Sequence, residues 1–194
     1  MKRRPLLQLF GALALGACAG PTAPTRWYAL RGDPPQAAPA TPAVDGAVWE
    51  LSRSVRLPGG LDRDTLVVES GAAGLQPLVG HRWAEPLRDS VPRVLLQDLV
   101  TLRGPGRVWA SPAPAGVTVT RRLTVEVLVL QADAERRRLR LKARWWFEDA
   151  VNAAALPQLG EADLAIDIAD SSIDALAAAH RLALWRLAER LISR

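Results

Sequence analysis

The most regular pattern in the chain is an alternation of hydrophobic and polar positions in two neighbouring segments. The apolar positions are Leu123, Val125, Val127 and Val129 in the first segment and Leu139, Leu141, Ala143, Trp145 and Phe147 in the second. Side chains spaced by two lie on one face of a β-strand. The polar residues between 132 and 137 favour a turn. The pattern therefore predicts an antiparallel hairpin with one face packed on a core.

Two other segments have helical spacing. The first runs from Trp83 to Leu102 and has apolar residues at Leu87, Val91, Val94, Leu95, Leu99 and Leu102. The second is the last segment, with a stripe of Ile173, Leu176, Ala177, His180, Leu184, Leu187 and Leu191. Such intervals predict amphipathic helices. We expect Pro86 at an early position of the first helix and a kink or delay at Pro92. Ser171 is predicted to cap the second helix, with Asp174 completing a capping box.

Shorter apolar segments predict further strands over residues 48–57, 65–69, 107–109 and 162–168, the last with Asp163 and Asp167 on its polar face. The glycines and prolines of residues 71–80 predict a loop. Strands before and after one helix, followed by a final helix, predict an α+β fold. We expect a two-layer domain, a mainly antiparallel sheet with two principal helices packed on one face.

The amino terminus has the three parts of a secretory signal. Lys2, Arg3 and Arg4 precede an apolar run over residues 6–15, and Leu15-Gly16-Ala17 then leads directly to Cys18, the one cysteine of the chain. The segment resembles a bacterial lipoprotein signal, which implies removal of residues 1–17 and acylation of Cys18. Several acyl chains hold a domain on a membrane almost permanently. Ala19 stands where lipoproteins of the inner membrane usually carry Asp, so the resemblance implies the periplasmic face of the outer membrane rather than the inner membrane.

Residues 18–46 are rich in proline and alanine, which predicts an extended tether between the lipid and the domain. Trp27-Tyr28-Ala29-Leu30 interrupts this composition and predicts a short strand (27–30) that docks on the domain. The domain itself is expected over residues 47–194. With a single cysteine, it must fold without intrachain disulfides.

The formal net charge of +5 changes this picture little. Three of the 25 Lys and Arg residues lie in the signal, so the remaining ones nearly balance the 20 Asp and Glu residues. A nucleic-acid-binding protein concentrates its cations on one face. We therefore expect no nucleic-acid partner.

Residues that carry catalysis are hard to assemble from this sequence. It has no phosphate-binding glycine loop followed by Lys, no Cys or His pair at metal spacing and no Gly-x-Ser-x-Gly motif. His180 falls in an apolar stripe, which favours a packed core histidine, and His81 falls in a predicted loop. The adjacent carboxylates Asp62 with Asp64, and Glu148 with Asp149, are typical of turns. We expect no catalytic residue, metal or cofactor; a hydrolase using His81 or His180 is the remaining enzymatic alternative.

The polar face of the second hairpin strand carries a row of cations, namely Arg138, Arg140, Lys142 and Arg144. Trp146 follows on the same face. A row of this kind is either a solvated surface or an interface with anionic lipid headgroups or an acidic protein partner. A large aromatic residue beside cations is typical of an anchor residue in an interface.

Several segments together resemble the PqiC-like ABC-type transport auxiliary lipoproteins. They are the lipidation signal, residues 27–30, the stretch Val55-Arg56-Leu57-Pro58-Gly59-Gly60-Leu61-Asp62-Arg63 with the following Leu66-Val67-Val68, the block Arg82-Trp83-Ala84-Glu85-Pro86-Leu87, and the hairpin end Ala143-Arg144-Trp145. Two positions depart from the pattern of this family. Gly60 stands where an aromatic residue is common, and Pro92 falls inside the predicted helix.

This resemblance implies a non-enzymatic accessory of an envelope transport system. Such systems contain an ABC permease and ATPase and an MCE-domain substrate-binding protein that bridges the envelope, and their usual cargo is lipid. The chain would dock on the MCE-domain protein from the outer membrane. A periplasmic carrier that binds lipid in an apolar groove between sheet and helices is the alternative, and assembly as a homo-oligomer is left open.

Overall fold

The structure is a computed structural model that describes residues 24–36, 45–53 and 55–193. Cys18, the signal and part of the tether lie outside these residues. The described strands are β1 Arg26–Tyr28, β2 Trp49–Leu51, β3 Thr65–Ser70, β4 Gly74–Trp83, β5 Val108–Ala110, β6 Arg121–Ala132, β7 Arg138–Asp149 and β8 Gln158–Asp167. The helices are α1 Leu87–Arg103, α2 Ile173–Ile192 and a short 3-10 helix, Gly59–Leu61.

A five-stranded sheet of order β5-β2-β6-β7-β8 carries the fold. Strands β6, β7 and β8 pair antiparallel, while β2 runs parallel to both of its neighbours. The predicted hairpin is β6–β7, with Val125 opposite Trp145. A second, three-stranded sheet has the order β1-β4-β3. The predicted α+β class is confirmed; both sheets are mixed, and the antiparallel strands β6, β7 and β8 form one side of the larger sheet.

The two helices cover the inner face of the large sheet. Alternate residues of β7 point inward, and Leu139, Leu141, Ala143 and Trp145 have at most 1% of their surface exposed. They meet the apolar stripes of α1 and α2, where Leu95, Leu99, Leu184 and Trp185 are fully buried. Burial of such side chains stabilises a fold by about 1.5 to 3 kcal/mol each. The helical stripes predicted from the sequence are therefore the core.

A strand is present where the sequence predicted one over 27–30, but it runs from Arg26 to Tyr28 as β1, and it pairs in parallel with β4. Tyr28 lies opposite Trp83, and both side chains are buried. The Trp83 ring packs edge-on against His180 of α2, with 5.2 Å between the ring centroids. The small sheet is thereby fastened to the helices at the point where β4 ends.

Two strand predictions are wrong in part. Residues 71–80 were predicted as a loop, but only 71–73 form the turn, and Gly74–Trp83 is strand β4. Pro77 is tolerated because β1 pairs only with His81–Trp83 of β4. On the β1 side of the sheet, no strand therefore needs a hydrogen bond from the backbone N–H that Pro77 lacks. In the segment predicted as a strand over 48–57, regular pairing with β6 ends at Leu51. Beyond Leu51, the chain contacts β6 only through isolated backbone hydrogen bonds and the bridge from Arg56 to Glu126.

The helix starts also differ from the prediction. Trp83 belongs to β4, and α1 begins at Leu87 after Pro86, then continues through Pro92. Ser172, and not Ser171, caps α2: its Oγ accepts a hydrogen bond from the backbone N–H of Ala175 at 3.1 Å. Asp174 is then the second helical residue, one position too early for a capping box.

Candidate docking surface

The cations of β7 lie on the outer side of the large sheet, away from the helices. We call Arg138, Arg140, Lys142, Arg144 and Trp146 the β7 outer face. Their side chains are exposed or half-buried, in alternation with the buried inner residues. The strand geometry expected from the sequence therefore places these five residues on one surface.

Acidic residues on both neighbouring strands neutralise the arginines of this face. Arg140 Nε donates to Asp163 Oδ1 of β8 at 2.8 Å, and Arg144 Nε donates to Glu126 Oε2 of β6 at 2.6 Å. Arg138 pairs with Asp167 at 3.3 Å. The hydrogen bond from Arg140 lowers the pKa of the Asp163 carboxyl. The β7 outer face is therefore a lattice of opposite charges and not an uninterrupted basic surface.

The aromatic end of this face continues into an apolar connection that the sequence analysis missed. Trp146 lies opposite Leu159 of β8, and the two line a shallow groove with Arg144 and Glu161. Val151, Leu156 and Leu159 are exposed by 77%, 89% and 71% of their surface. We call these three residues the distal apolar patch. The signal in the sequence was the apolar composition of residues 150–157, between two strands where a polar turn is usual.

Hydrogen bonds hold the start of this apolar connection in place. The backbone N–H groups of Asn152 and Val151 donate to Asp149 Oδ1 at 2.9 and 2.8 Å, and they lower the pKa of Asp149. The prediction that Glu148 and Asp149 lie in a turn is wrong, because both belong to β7; the Asp149 side chain instead holds the turn that follows the strand. Val151 is therefore exposed at the start of an ordered turn.

The two histidines have structural surroundings. His180 is buried, its Nδ1–H donates to the carbonyl oxygen of Leu176 at 2.8 Å, and burial lowers its pKa to about 4. The prediction of a packed core histidine is confirmed. His81 lies on β4 and not in a loop, and its Nδ1 is 2.9 Å from the Tyr28 hydroxyl.

The carboxylates singled out in turns also have local partners. Asp62 accepts from Arg88 at 3.0 Å, and Asp64 pairs with Arg82. Within residues 24–36, 45–53 and 55–193, no group of three His, Cys, Asp or Glu side chains is arranged to hold a metal ion. In the same part of the chain, neither helix combines the length and apolarity needed to cross a membrane.

A buried ion pair fastens the chain that follows β1 to both helices. Arg181 of α2 binds both carboxylate oxygens of Asp98 of α1, at 2.6 and 2.8 Å. Its Nε also donates to the carbonyl oxygen of Arg31 at 2.7 Å. Burial raises the pKa of Asp98 to about 6, against the lowering effect of Arg181. The sequence carried a signal for this pair, because Asp98 falls within the apolar stripe of α1.

Comparisons with known proteins agree with this architecture. The crystal structure of an uncharacterized protein superimposes with a TM-score of 0.67 at 14% identity, over 87% of this chain and 97% of the other. A DUF330-family protein from Xanthomonas campestris gives a TM-score of 0.65 at 17% identity, over 86% and 92%. These likenesses show the fold. Among curated proteins, none matches the sequence.

The sequence itself matches one family model. The model describes the ABC-type transport auxiliary lipoprotein component, and it matches residues 28–191. The match begins at the last residue of β1 and ends in the last turn of α2, so it covers nearly all of the described fold. The chain therefore belongs to the family of ABC-type transport auxiliary lipoproteins.

Proposed function

We propose that this chain is a non-enzymatic lipoprotein, acylated at Cys18, that docks on the MCE-domain substrate-binding protein of an ABC-type lipid transport system. The observation that carries this proposal is the family match over residues 28–191. The signal that ends at Cys18 supports the anchor. The structural roles of His81, His180 and the turn carboxylates give a hydrolase no support.

The docking surface in this proposal is the aromatic end of the β7 outer face together with the distal apolar patch. Trp146 is half-buried beside exposed Leu159, and Arg144, which lines the same groove, is already paired with Glu126 of the same sheet. Interfaces derive most of their affinity from aromatic and apolar residues surrounded by a polar rim. The arrangement therefore suits a protein partner better than a surface of anionic lipid headgroups.

Capture of the partner tests the docking surface. Purified wild-type protein should retain an MCE-domain protein from the same cells, whereas Trp146→Ala should weaken its affinity about tenfold or more, as loss of an interface anchor does. Trp109→Ala is the matched control, because Trp109 is a half-buried tryptophan on β5 at the opposite edge of the same sheet. Equal loss of affinity in both variants would reject this docking surface. No retention of the MCE-domain protein by the wild type would reject this partner.

Membrane fractionation tests the anchor and its destination. The wild type is expected in the outer membrane, and Cys18→Ser should release the protein from membranes. Ala19→Asp should move it to the inner membrane, because Asp at this position is the usual retention signal of lipoproteins. A wild-type protein that fractionates with the inner membrane would overturn the proposed location and leave the anchor intact.

The packing gives the carrier alternative no support. Leu141, Trp145 and Trp185 fill the layer between sheet and helices, each with at most 1% of its surface exposed. A carrier needs a groove in this layer for an acyl chain. Native mass spectrometry of the protein without its anchor should therefore find no retained lipid.

A further inference from the structure

The exposed large hydrophobic residues of the described chain form two separate groups. One is the distal apolar patch, on the β7–β8 connection and the start of β8. The other consists of Trp27 on β1 and Val79 on β4, with 60% and 90% of their surface exposed. We call this pair the tether-side patch. Docking through the distal patch leaves the exposure of Trp27 and Val79 unexplained.

The tether-side patch lies where the chain arrives from the lipid anchor. Pro24 is the first described residue, and a Cβ at Gly80 would lie 3.9 Å from its carbonyl oxygen. Val79 is therefore next to the entering chain, and Trp27 follows Pro24 by three residues. Arg26 is eight residues after Cys18, a length that spans at most about 29 Å when fully extended. The anchor thus holds this patch close to the membrane surface.

The distal apolar patch lies at the other end of the domain. Trp27 lines a groove with Asp174 and Ala177, in the first turns of α2. Helix α2 follows the end of β8 at Asp167, which is paired with the first residue of β7. The distal patch follows the last residue of β7, a strand of 12 residues that is about 36 Å long. The two patches are thus separated along the full length of the sheet.

We propose that Trp27 and Val79 insert into the headgroup region of the bilayer that holds the acyl chains of Cys18. This inference rests on the lipid anchor of the proposed function. Tryptophan favours the membrane–water interface because its ring is apolar while its N–H is polar. The exposed cations Arg26 and Arg31 flank it along the chain, while Asp33 and Asp174 line the adjacent groove, so the apolar side chains carry the contact.

The contact sets orientation more than affinity, because the acyl chains already supply the attachment. With the tether-side patch in the membrane, the long axis of the sheet points away from it. The distal apolar patch then stands about 36 Å further out, where a protein that crosses the periplasm is accessible. A lipid anchor on a tether alone would let the domain take any orientation relative to the membrane. The second contact, made by Trp27 and Val79, removes most of these orientations.

Site-directed labelling tests this orientation in the lipidated full-length protein. Cys18 is the one cysteine, and acylation consumes its thiol, so Val79→Cys and Leu156→Cys each introduce a single reactive thiol. Both positions are about 90% exposed, and neither substitution disturbs the core. The two variants are labelled with an environment-sensitive fluorophore in vesicles of phosphatidylethanolamine and phosphatidylglycerol. The label at 79 should shift to the blue and be quenched by lipid-borne quenchers; the label at 156 should do neither.

A second substitution and a thiol count make the result decisive. Adding Trp27→Ala to Val79→Cys should reduce lipid quenching of the label at least twofold. A label at 79 that stays aqueous, or lipid contact at 156 alone or at both positions, overturns the proposed orientation. Thiol titration of the wild type separates the two proposals: a free thiol at Cys18 rejects the lipid anchor and this inference together, whereas a blocked thiol with an aqueous label at 79 rejects this inference alone.

Discussion

Arg181 and Asp98 form a bidentate ion pair inside the protein, with 8% and 1% of their side-chain surfaces exposed. Two parallel hydrogen bonds of this kind fix both the distance and the plane of the two groups. The pair joins α1 to α2, and its third bond, to the carbonyl oxygen of Arg31, extends it to the segment after β1. A contact at the start of the fold is thereby connected to the centre of the helical layer.

Removing one member of this pair should destabilise the protein strongly. Asp98→Ala leaves the Arg181 cation buried without its anion, and we expect the free energy of unfolding to fall by about 3 to 5 kcal/mol. Urea denaturation measures this change. The double variant Asp98→Leu with Arg181→Met is the control, because it buries no charge and should unfold at a higher urea concentration than Asp98→Ala. If the free energy of unfolding of Asp98→Ala lay within about 1 kcal/mol of the wild-type value, the ion pair would not be important for stability.

His180 should make the stability depend on pH. Burial lowers its pKa from 6.5 to about 4 in the folded state, so between these values the unfolded chain binds the additional proton. Stability is then complete above about pH 6.5 and is lost as the pH falls towards 4. At pH 4.5 the loss relative to pH 7 is on the order of 2 to 3 kcal/mol.

Comparison with His180→Gln isolates this contribution. Asp98 acts in the opposite direction, because its raised pKa makes the folded state bind the proton first and favours folding below about pH 6. Both proteins contain Asp98, so its effect cancels in the difference between them. Urea denaturation at pH 7 and pH 4.5 should show a smaller loss in the glutamine variant. Equal losses would show that His180 is not the titrating group.

Gly160 should tolerate no side chain. It lies opposite Trp145, and a Cβ at this position would come within 2.6 Å of the indole Nε1. Since Trp145 is enclosed in the core, we expect Gly160→Ala to cost about 1 to 3 kcal/mol, as overpacking does. Gly59→Ala is the matched control, because a Cβ there meets no atom within 4 Å. Thermal unfolding should separate the two variants, and a shared melting temperature would contradict the close contact.

The cap of α2 distinguishes the structure from the sequence-based prediction. Ser172→Ala should destabilise the protein by about 1 kcal/mol, because its Oγ accepts the N–H of Ala175. Ser171→Ala, one residue earlier, should change the melting temperature very little. The reverse order of effects would support the cap that the sequence favoured.

The hairpin and both helices were predictable because their periodicity extends over many residues, as in Leu139 to Phe147. Strand β4 was not, because Gly74, Pro77 and Gly80 interrupt its alternation, and only the position of β1 explains why Pro77 fits. The outer position of Arg140 followed from the same periodicity. Its pairing with Asp163 did not, because a shift of two residues between β7 and β8 keeps the same side chains on each face, so the alternation alone does not fix the partner of Arg140.

The ion pairs of the β7 outer face should hide its positive charge. Glu126→Gln with Asp163→Asn would expose the cations of Arg144 and Arg140, whose partners these two carboxylates are. We expect this variant to elute from a heparin column at a clearly higher NaCl concentration than the wild type, since exposed cations attract a polyanion and salt screens that attraction. Asp33→Asn with Asp174→Asn is the control: it changes the net charge by the same amount, but both residues lie outside the large sheet and neither belongs to an ion pair of the described residues. If the two double variants eluted together, net charge alone would explain the binding, and the pairing would mask nothing.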